Sequence, residues 1–339
     1  MSALRTAVVG WGTAGSVFHG PLLAADPDFS VDVVVTRDPA RAAAARAALP
    51  GVAVVASPEE VLTRRGELDL VVLASPPATH VDLATRTLRA GLATVVDKPL
   101  AVDAAGAREL LDVAGATGTP FTVFQNRRWD GDFLTLRRLL AEGTLGRVHR
   151  FTSRFTWWEP SGGKAWKMDA PVAEGGGILA DLGTHLVDQA LQLFGPVDSV
   201  TAELDRRRPG DGPEDDAFVA LHHASGVRSH LWMSAVAALP GPRFHVLGER
   251  GAFGVDGLDP QEQQLAAGLT PGAPGYGVRS APARGGTVDA PAEVPVAPGD
   301  YPAFYRGLAD SLLRGAPLPV VPTDAVAVLD VLDRVRAAA

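Results

Sequence analysis

The chain places an acid and an imidazole one helical turn apart. In GGGILADLGTHLVD, residues 175–188, three glycines lead into apolar residues with helical spacing. At about 100° per residue, Asp181, His185, Asp188 and Gln192 share one stripe of that helix. An imidazole beside a carboxylate is a workable general base, because the acid orients the ring and supports its charged form. The stripe therefore predicts proton transfer.

An amphipathic helix with a solvated polar face would explain the same stripe. The other helices of the chain carry Arg and Glu on their polar faces, whereas this one carries short Asp and His side chains. The preceding glycines also allow another backbone or a ligand to approach closely. On this helix alone, both interpretations stay open.

A second glycine cluster near the start of the chain indicates a nucleotide. GWGTAG fits the spacing G-x-G-x-x-G directly after a strand-like segment and opens a helical pattern. Glycines there permit a tight turn and let backbone N–H groups approach a pyrophosphate. A plain strand-to-helix turn is the alternative, but the position in a first βαβ unit favours a dinucleotide. The candidate cofactor-binding residues of this loop are Gly10, Trp11, Gly12, Thr13, Ala14 and Gly15.

The end of the second predicted strand bears on which dinucleotide binds. An acid there usually holds the ribose 2′-OH of NAD. Asp38 could be that acid, but with Pro39 after it Asp38 is more typical of a helix N-cap. Thr36 and Arg37 would then face the ribose, and a hydroxyl with a guanidinium suits a 2′-phosphate. We therefore expect NADP(H) rather than NAD(H).

Lysine is scarce in this chain, which has only Lys98, Lys164 and Lys167. Lys98 follows the fifth predicted strand in VVDKPL, where Pro99 stiffens the turn. Ligands of open α/β sheets bind at the carboxyl ends of the strands. An exposed lysine at a strand end is the ordinary alternative, but the scarcity and the position favour a lysine that points toward the nicotinamide.

Alternating strands and helices must position these residues. Val-rich segments in the first third are nearly continuous in apolarity, as strands buried on both faces of a parallel sheet are. Helical segments between them predict βαβ units and a doubly wound α/β sheet. The strand candidates are 6–10, 31–36, 52–55, 68–74, 93–97 and 121–125.

The pattern changes after residue 125. A helix ending at Gly143 is followed by strand-like segments, with hairpins predicted around Ser225-Gly226 and over residues 244–257. Sequential strands with tight turns favour a mostly antiparallel sheet. Residues 268–300 are rich in Gly and Pro and predict a long loop. A final helix is predicted over residues 325–338.

Length and composition set the remaining bounds. A chain of 339 residues suggests two domains, here residues 1–125, which contain the GWGTAG cluster, and residues 126–339, which contain the acid–imidazole stripe. The absence of cysteine excludes disulfides and thiolate catalysis. A net charge of −8 without a long basic block disfavours nucleic acid. Without a signal peptide or membrane-length apolar run, we expect a soluble cytoplasmic protein with a small-molecule partner and no membrane partner.

A catalytic metal is not expected. His222 and His223 are adjacent, so in a strand their side chains face opposite sides of the sheet.

Three motifs together resemble the Gfo/Idh/MocA family of NAD(P)-dependent oxidoreductases. They are GWGTAG at 10–15, DKP at 97–99, where the family more often has EKP, and GGGILADLGTH at 175–185. The resemblance covers essentially the whole chain. Further segments resemble the scyllo-inositol dehydrogenase-like branch, which is NADP-dependent: GSVFHGPLL, QNRRWDGDF and DLGTHLVDQALQLFG.

The resemblance implies a Rossmann domain, then an α+β domain whose large, mostly antiparallel open sheet forms a homodimer or homotetramer interface. It implies reversible oxidation of a secondary hydroxyl on a cyclitol or sugar. His185 would take the hydroxyl proton, Asp181 would position substrate and imidazole, and Lys98 would bind the reacting oxygen.

The resemblance also implies further cofactor contacts. For His80, a helix-start histidine that packs locally is an alternative. The implied contacts are Ser75, Pro76, His80, Asp97, Lys98, Asn126 and Arg127.

One segment departs from that branch, which is richer in Arg there. FTWWEPSGGKAWKMDAPVAE brings Trp157, Trp158, Lys164 and Trp166 as candidates to line the substrate pocket. Aromatic faces suit the C–H faces of a sugar ring, although interface or core packing explains the Trp pair equally well. The departure puts inositol itself in doubt more than the reaction class.

Two other classes of function compete with a dehydrogenase. A nucleotide-binding sensor or regulator would tend to lose the lysine or the histidine, and both are present. A redox-neutral enzyme that keeps its nucleotide bound would show the cofactor's absorbance after purification.

Overall fold

The computed structural model describes residues 3–161 and 170–339. The chain forms two compact units. The first contains residues 1–126, 261–276 and 300–326, and the second contains residues 127–260, 277–299 and 327–339. Each unit is thus assembled from segments that are far apart in the sequence.

A six-stranded sheet forms the centre of the first unit. Its strand order is β3-β2-β1-β4-β5-β6, and every pairing is parallel. β4 is buried along its whole length, and β1 is buried except at Arg5, as the predicted apolar runs require. The doubly wound prediction is confirmed, and all six predicted strands are present. The strands are β1 (Leu4–Val9), β2 (Phe29–Val35), β3 (Ala53–Val55), β4 (Leu70–Leu73), β5 (Ala93–Asp97) and β6 (Phe121–Phe124).

The helices of this unit connect successive strands. The first follows a π-helical turn over Ala14–His19. Several begin at local signals: α2 has the Asp38 cap with proline after it, and α3 begins with a capping box at Ser57. The helices are α1 (Gly20–Ala24), α2 (Pro39–Ala48), α3 (Pro58–Thr63), α4 (His80–Arg89) and α5 (Ala104–Thr117).

Two later segments of the chain complete the first unit, which the sequence did not lead us to expect. The helices α8 (Gln261–Ala266) and α9 (Pro302–Arg314) lie in them. The Thr122 hydroxyl on β6 donates a hydrogen bond to the Val320 carbonyl at 2.7 Å. Fully buried Tyr305 on α9 packs its ring at 5.4 Å from that of Phe29 on β2.

An eight-stranded sheet forms the second unit. Its order is β14-β13-β12-β11-β7-β10-β9-β8. Among the strands that the structure describes in this sheet, only the β7–β10 pair is parallel, so the predicted mostly antiparallel sheet is confirmed. The strands are β7 (Val148–Thr156), β8 (Val197–Asp205), β9 (Asp216–His223), β10 (Arg228–Ser234), β11 (Phe244–Gly248), β12 (Ala252–Val255), β13 (Ala283–Gly286) and β14 (Pro291–Val294).

The two predicted hairpins of this sheet are confirmed. β9 pairs with β10 across the turn at Gly226, whose φ of +87° is the left-handed value that favours glycine. β11 pairs with β12. Burial alternates residue by residue along β9, so one face of the sheet is covered and the other is partly exposed.

The prediction of a long loop over residues 268–300 is wrong in part. Residues 283–294 contain β13 and β14, a hairpin that extends the edge of the sheet. Their sequences, ARGG and PAEV, hold one β-branched residue between them, so strand propensity did not reveal them. Backbone pairing to β12 decides the structure here.

The remaining helices include the one that carries the acid–imidazole stripe. α7 (Thr184–Phe194) continues a π-helical turn over Leu179–Gly183. α6 (Gly131–Ala141) precedes it in the chain. α10 (Pro322–Ala338) confirms the predicted last helix. Among the described residues, no helix is both long and apolar enough to cross a membrane.

Candidate active site

The three glycines after β1 have different surroundings. A Cβ on Gly10, whose φ is +103°, would collide with the carbonyl of Ala74, and a Cβ on Gly15 would collide with the carbonyl of Gly10. A Cβ on Gly12 would meet no atom within 4 Å. The outer glycines are thus needed for the turn and for packing, whereas Gly12 leaves space beside its backbone. This division of roles suits a loop that receives a pyrophosphate.

A cavity of about 420 Å³ opens beside this loop. Gly12, Thr13 and Ser16 line it together with Trp11, and Arg41 on the first turn of α2 faces it as well. Sequence reasoning missed Arg41. Its position three residues after an N-cap was the available signal, because a first-turn side chain lies near the strand ends.

Asp38, shortly after the end of β2, is the N-cap of α2, as the preferred interpretation of this residue predicted. Its carboxylate accepts hydrogen bonds from Ala40 N–H at 2.8 Å and Arg41 N–H at 3.1 Å. The hydroxyl of half-buried Thr36 accepts the Asp38 N–H at 3.3 Å, and Arg37 is exposed. Asp38 is therefore committed to the helix, and the contacts of Thr36 and Arg37 with a cofactor stay predictions.

Hydrogen bonds of its own side chains stabilise the loop after β4. The hydroxyls of Ser75 and Thr79 lie 2.7 Å apart, and Thr79 also donates to the Pro76 carbonyl. His80, 1% exposed, begins α4 and lies with its ring nitrogens against the carbonyls of Ser75 and Pro99. Burial is the largest effect on the pKa of His80 and lowers it, against the two carbonyl contacts.

Lys98 lies directly after β5 and is half-buried. The Asp97 carboxylate accepts the Lys98 backbone N–H at 2.9 Å, and the Lys98–Pro99 peptide bond is cis. Burial distinguishes Lys98 from an ordinary exposed lysine at a strand end.

A buried histidine near this turn was not found from the sequence. His19 is fully buried, and its Nδ1 lies 2.7 Å from the Tyr305 hydroxyl. Its Nε2 lies 3.9 Å from the Asp97 carboxylate. Burial lowers the pKa of His19 to about 4, against the attraction of Asp97, so the ring is neutral at pH 7. Burial likewise raises the pKa of Tyr305.

In the second unit, the polar stripe of the opening motif is not a solvated face. His185 is 4% exposed and Asp188 is 2% exposed, whereas Asp181 is half-buried and Gln192 is exposed. The interpretation of a wholly solvated polar face is therefore wrong for the first turns of α7. An imidazole and two acids are held in a largely buried setting.

The glycines ahead of this helix allow close packing of the protein on itself. A Cβ on Gly176 would collide with the Ala170 carbonyl, and one on Gly177, whose φ is +94°, would collide with the Glu214 carboxylate. Glu214 also accepts the Leu179 N–H at 3.2 Å. The protein's own groups occupy the space beside these two glycines.

Buried charge fixes the orientation of α7. Arg128 donates to both carboxylate oxygens of Asp188, at 2.8 and 2.5 Å. One residue on, Gln189 donates to the Arg127 carbonyl at 2.9 Å and accepts from Arg243 at 2.7 Å. Since His185 lies one turn before these residues, they position its backbone.

The predicted contacts Asn126 and Arg127 are both buried, with Asn126 in the first unit and Arg127 in the second. The Arg127 guanidinium lies 4.6 Å from the centre of the Phe155 ring and 3.6 Å from the Asp130 carboxylate. Their role toward a cofactor stays a prediction.

The tryptophan candidates have different environments. Trp157 is half-buried, with its ring against Phe155 and its N–H donated to Glu159 at 3.2 Å. Trp158 is 56% exposed and lines a cavity of about 480 Å³ with Trp232. Lys164 and Trp166 lie outside the described residues.

The three predicted catalytic residues are distributed over the two units. Lys98 belongs to the first unit, and Asp181 and His185 belong to the second. Within the second unit, Asp181 and His185 are one helical turn apart, as predicted.

Comparison with known proteins identifies both parts of the chain. Residues 4–125 match the family model for the oxidoreductase family with an NAD-binding Rossmann fold. Residues 133–254 match the model for the GFO/IDH/MocA C-terminal domain. The chain belongs to the Gfo/Idh/MocA oxidoreductase family. Its first unit is accordingly a nicotinamide-nucleotide-binding domain.

Individual relatives match over nearly the whole chain. An uncharacterized oxidoreductase, YdgJ of Escherichia coli, is 37% identical over 97% of this chain and 94% of its own length. The scyllo-inositol 2-dehydrogenase (NADP(+)) IolW of Bacillus subtilis is 29% identical over 98% of this chain and 93% of its own. A crystal structure of a putative oxidoreductase from Klebsiella pneumoniae is 35% identical, with a TM-score of 0.90 over 100% of this chain and 93% of that one.

Proposed function

We propose that this protein is an NADP(H)-dependent dehydrogenase of a secondary hydroxyl on a cyclitol or sugar, with Lys98, Asp181 and His185 managing the proton. The observation that carries the proposal is the position of His185, 4% exposed on α7 with Asp181 one turn earlier. Membership of an oxidoreductase family and the similarity to an NADP-dependent inositol dehydrogenase support it.

The glycine loop and the cavity beside it fit the nucleotide. The open space at Gly12 suits a pyrophosphate. Arg37 and Arg41 provide guanidinium groups near the end of β2, as a 2′-phosphate requires. Asp38 is used as a helix cap, which removes the acid that would favour NAD. These features support NADP(H).

The chain's own residues handle the proton. A bound nicotinamide would supply the hydride acceptor or donor. His185 accepts the hydroxyl proton through its imidazole, and Asp181 orients the substrate and supports the charged ring. The Lys98 ammonium binds the reacting oxygen and favours its alkoxide-like form.

Polyhydroxylated rings are the proposed substrate class. Trp157 is half-buried beside Phe155 in the same unit as His185, and an indole face suits the C–H face of such a ring. The similarity to the scyllo-inositol 2-dehydrogenase of Bacillus subtilis favours cyclitols among these substrates.

We also propose that the protein assembles as a homodimer or homotetramer through the exposed face of the eight-stranded sheet. Half-buried Phe218, His230 and Trp232 lie on that face of β9 and β10. Large apolar and aromatic side chains on an open sheet face are typical of protein interfaces. Sedimentation velocity of the wild type and Trp232→Arg measures the assembly, and a monomeric wild type contradicts it.

The function is tested by titrating NADPH and NADH against tryptophan fluorescence, then screening inositols and aldoses for turnover. We expect tighter binding of NADPH and oxidation or reduction of a cyclitol or sugar. In Arg37→Ala, the NADPH affinity should fall toward that of NADH, and Lys98→Ala should abolish most turnover. Tight binding without any turnover would favour a sensor or a redox-neutral enzyme, and no binding would contradict the proposal.

A further inference from the structure

His80 is a buried histidine with backbone carbonyls at both ring nitrogens. Its Nδ1 lies 2.8 Å from the Pro99 carbonyl oxygen, and its Nε2 lies 2.9 Å from the Ser75 carbonyl oxygen. A neutral imidazole has one N–H, so it donates to only one of these carbonyls. Burial lowers the pKa of His80, which favours the neutral ring. Donation from Nδ1–H to the Pro99 carbonyl is the arrangement that ties the ring to the turn after β5.

His80 begins α4 directly after the loop that follows β4, so one ring bond to Pro99 links that loop to the turn after β5. Ser75 belongs to the loop after β4, and Pro99 belongs to the turn after β5 that holds Lys98. The first loop has bonds of its own, since Thr79 bridges the Ser75 hydroxyl and the Pro76 carbonyl. An N–H at Nδ1 thus attaches the turn that contains Lys98 and Pro99 to a loop that its own hydrogen bonds already stabilise.

Direct contact between His80 and a cofactor does not fit this geometry. The residue is 1% exposed, and both nitrogens face protein carbonyls. This geometry favours the other interpretation of His80, a helix-start histidine that packs locally.

We propose that His80 is a positioning residue, whose Nδ1–H bond to the Pro99 carbonyl fixes the turn that presents Lys98. The proposal rests on the proposed role of Lys98 in turnover. A displacement of about 1 Å at a reacting group lowers the rate by roughly a hundredfold, so one such bond is sufficient for a large kinetic effect.

Two substitutions distinguish the roles of the two ring nitrogens. The amide nitrogen of Asn occupies the position of Nδ1, and that of Gln occupies the position of Nε2. His80→Asn keeps a donor for Pro99, whereas His80→Gln keeps one only for Ser75. We expect kcat within about threefold of wild type for His80→Asn and about tenfold to a hundredfold lower for His80→Gln. The Kd for NADPH should change less than twofold in both.

His223 provides a matched control in the second unit. It is 2% exposed, with Nδ1 2.8 Å from the Gly195 carbonyl and Nε2 2.8 Å from the Ser229 hydroxyl. The same Asn and Gln substitutions there should leave kcat within twofold of wild type. Equal losses of kcat in the two His80 variants, or a loss confined to nucleotide affinity, would overturn the proposal.

Two measurements do not depend on turnover. Long-range ¹H–¹⁵N spectra of the wild type report which ring nitrogen of His80 carries the proton, and a neutral ring protonated only at Nε2 overturns the proposal whether or not the variants fold. The rate of Lys98 acetylation is measured by mass spectrometry, with Lys164 and Lys167 as internal references. Compared with wild type, this rate should be several-fold higher in His80→Gln and unchanged in His80→Asn. Equal rates in the two variants overturn the proposal. If Lys98→Ala retains turnover while these two results hold, the proposed function fails and the positioning role stands.

Discussion

Two regions of this protein begin a helix with glycines and a π-helical turn, and they use the glycines differently. After β1, Gly12 leaves open space beside the backbone. Before α7, a backbone carbonyl fills the space beside Gly176, and a carboxylate fills the space beside Gly177. The open space in the first region suits a ligand on the backbone, whereas the second region packs the protein against itself. The same residue type therefore predicts a different function according to what lies beside it.

The largest expected effect tests whether the second region acts through a side chain. His185→Ala should lower kcat by about 10²–10⁴, as loss of a general base does, with NADPH affinity within about twofold of wild type. Stopped-flow turnover across pH measures this. His185→Ala with wild-type kcat at every pH would remove the imidazole from the mechanism.

The next prediction concerns how α7 is held. Asp188→Asn leaves the Arg128 guanidinium buried without its carboxylate, which should lower the unfolding free energy by about 3–5 kcal/mol. Urea unfolding followed by tryptophan fluorescence measures this change. The control is Glu142→Gln, which breaks a half-exposed pair with Arg138 and should cost less than about 1 kcal/mol. Equal costs for the two variants would mean that the buried pair does not hold the helix.

The first unit also contains a buried group, His19, that makes the unfolding free energy depend on pH. The pKa of His19 is about 4 in the folded protein against the ordinary value of 6.5, so between these pH values the unfolded chain binds a proton that the folded protein does not. Its contribution to stability is present above pH 6.5 and is lost progressively as the pH falls from about 6.5 to about 4. Between pH 7 and 5, wild type should lose about 2 kcal/mol more than His19→Gln.

Urea unfolding of both proteins at each pH gives that difference. The charged or titratable groups near the ring are Asp97, Tyr305 and His80. Substitution of His19 leaves all three in place, so the difference between the proteins isolates this histidine. Parallel pH profiles for the two proteins would show that His19 is protonated equally in both states.

Much of this architecture was predictable from local patterns. β4 is a continuous run of Val and Leu and β5 contains two adjacent valines, and burial on both faces of a sheet produces such apolar runs. The Asp38 cap and the turn at Gly226 follow from the chemistry of single residues.

What the sequence did not predict depends on contacts between distant segments. β13 and β14 form because β12 offers an edge, although their own residues have weak strand propensity. His19 was not singled out because its partners Tyr305 and Asp97 are 286 and 78 residues away in the sequence. The burial of the stripe on α7 depends likewise on Arg128, which is 60 residues from Asp188.

The smallest expected effect tests the comparison of glycines directly. Gly12→Ala adds a methyl group that meets no atom within 4 Å, so the unfolding free energy should stay within about 0.5 kcal/mol of wild type. The methyl group would occupy the space proposed for the pyrophosphate, so NADPH affinity should fall about tenfold, which is about 1.4 kcal/mol. Gly15→Ala is the matched variant, because its methyl group collides with the Gly10 carbonyl and should lower stability by about 1–3 kcal/mol. If Gly12→Ala binds NADPH as tightly as wild type, the open space beside Gly12 is not where the phosphates lie.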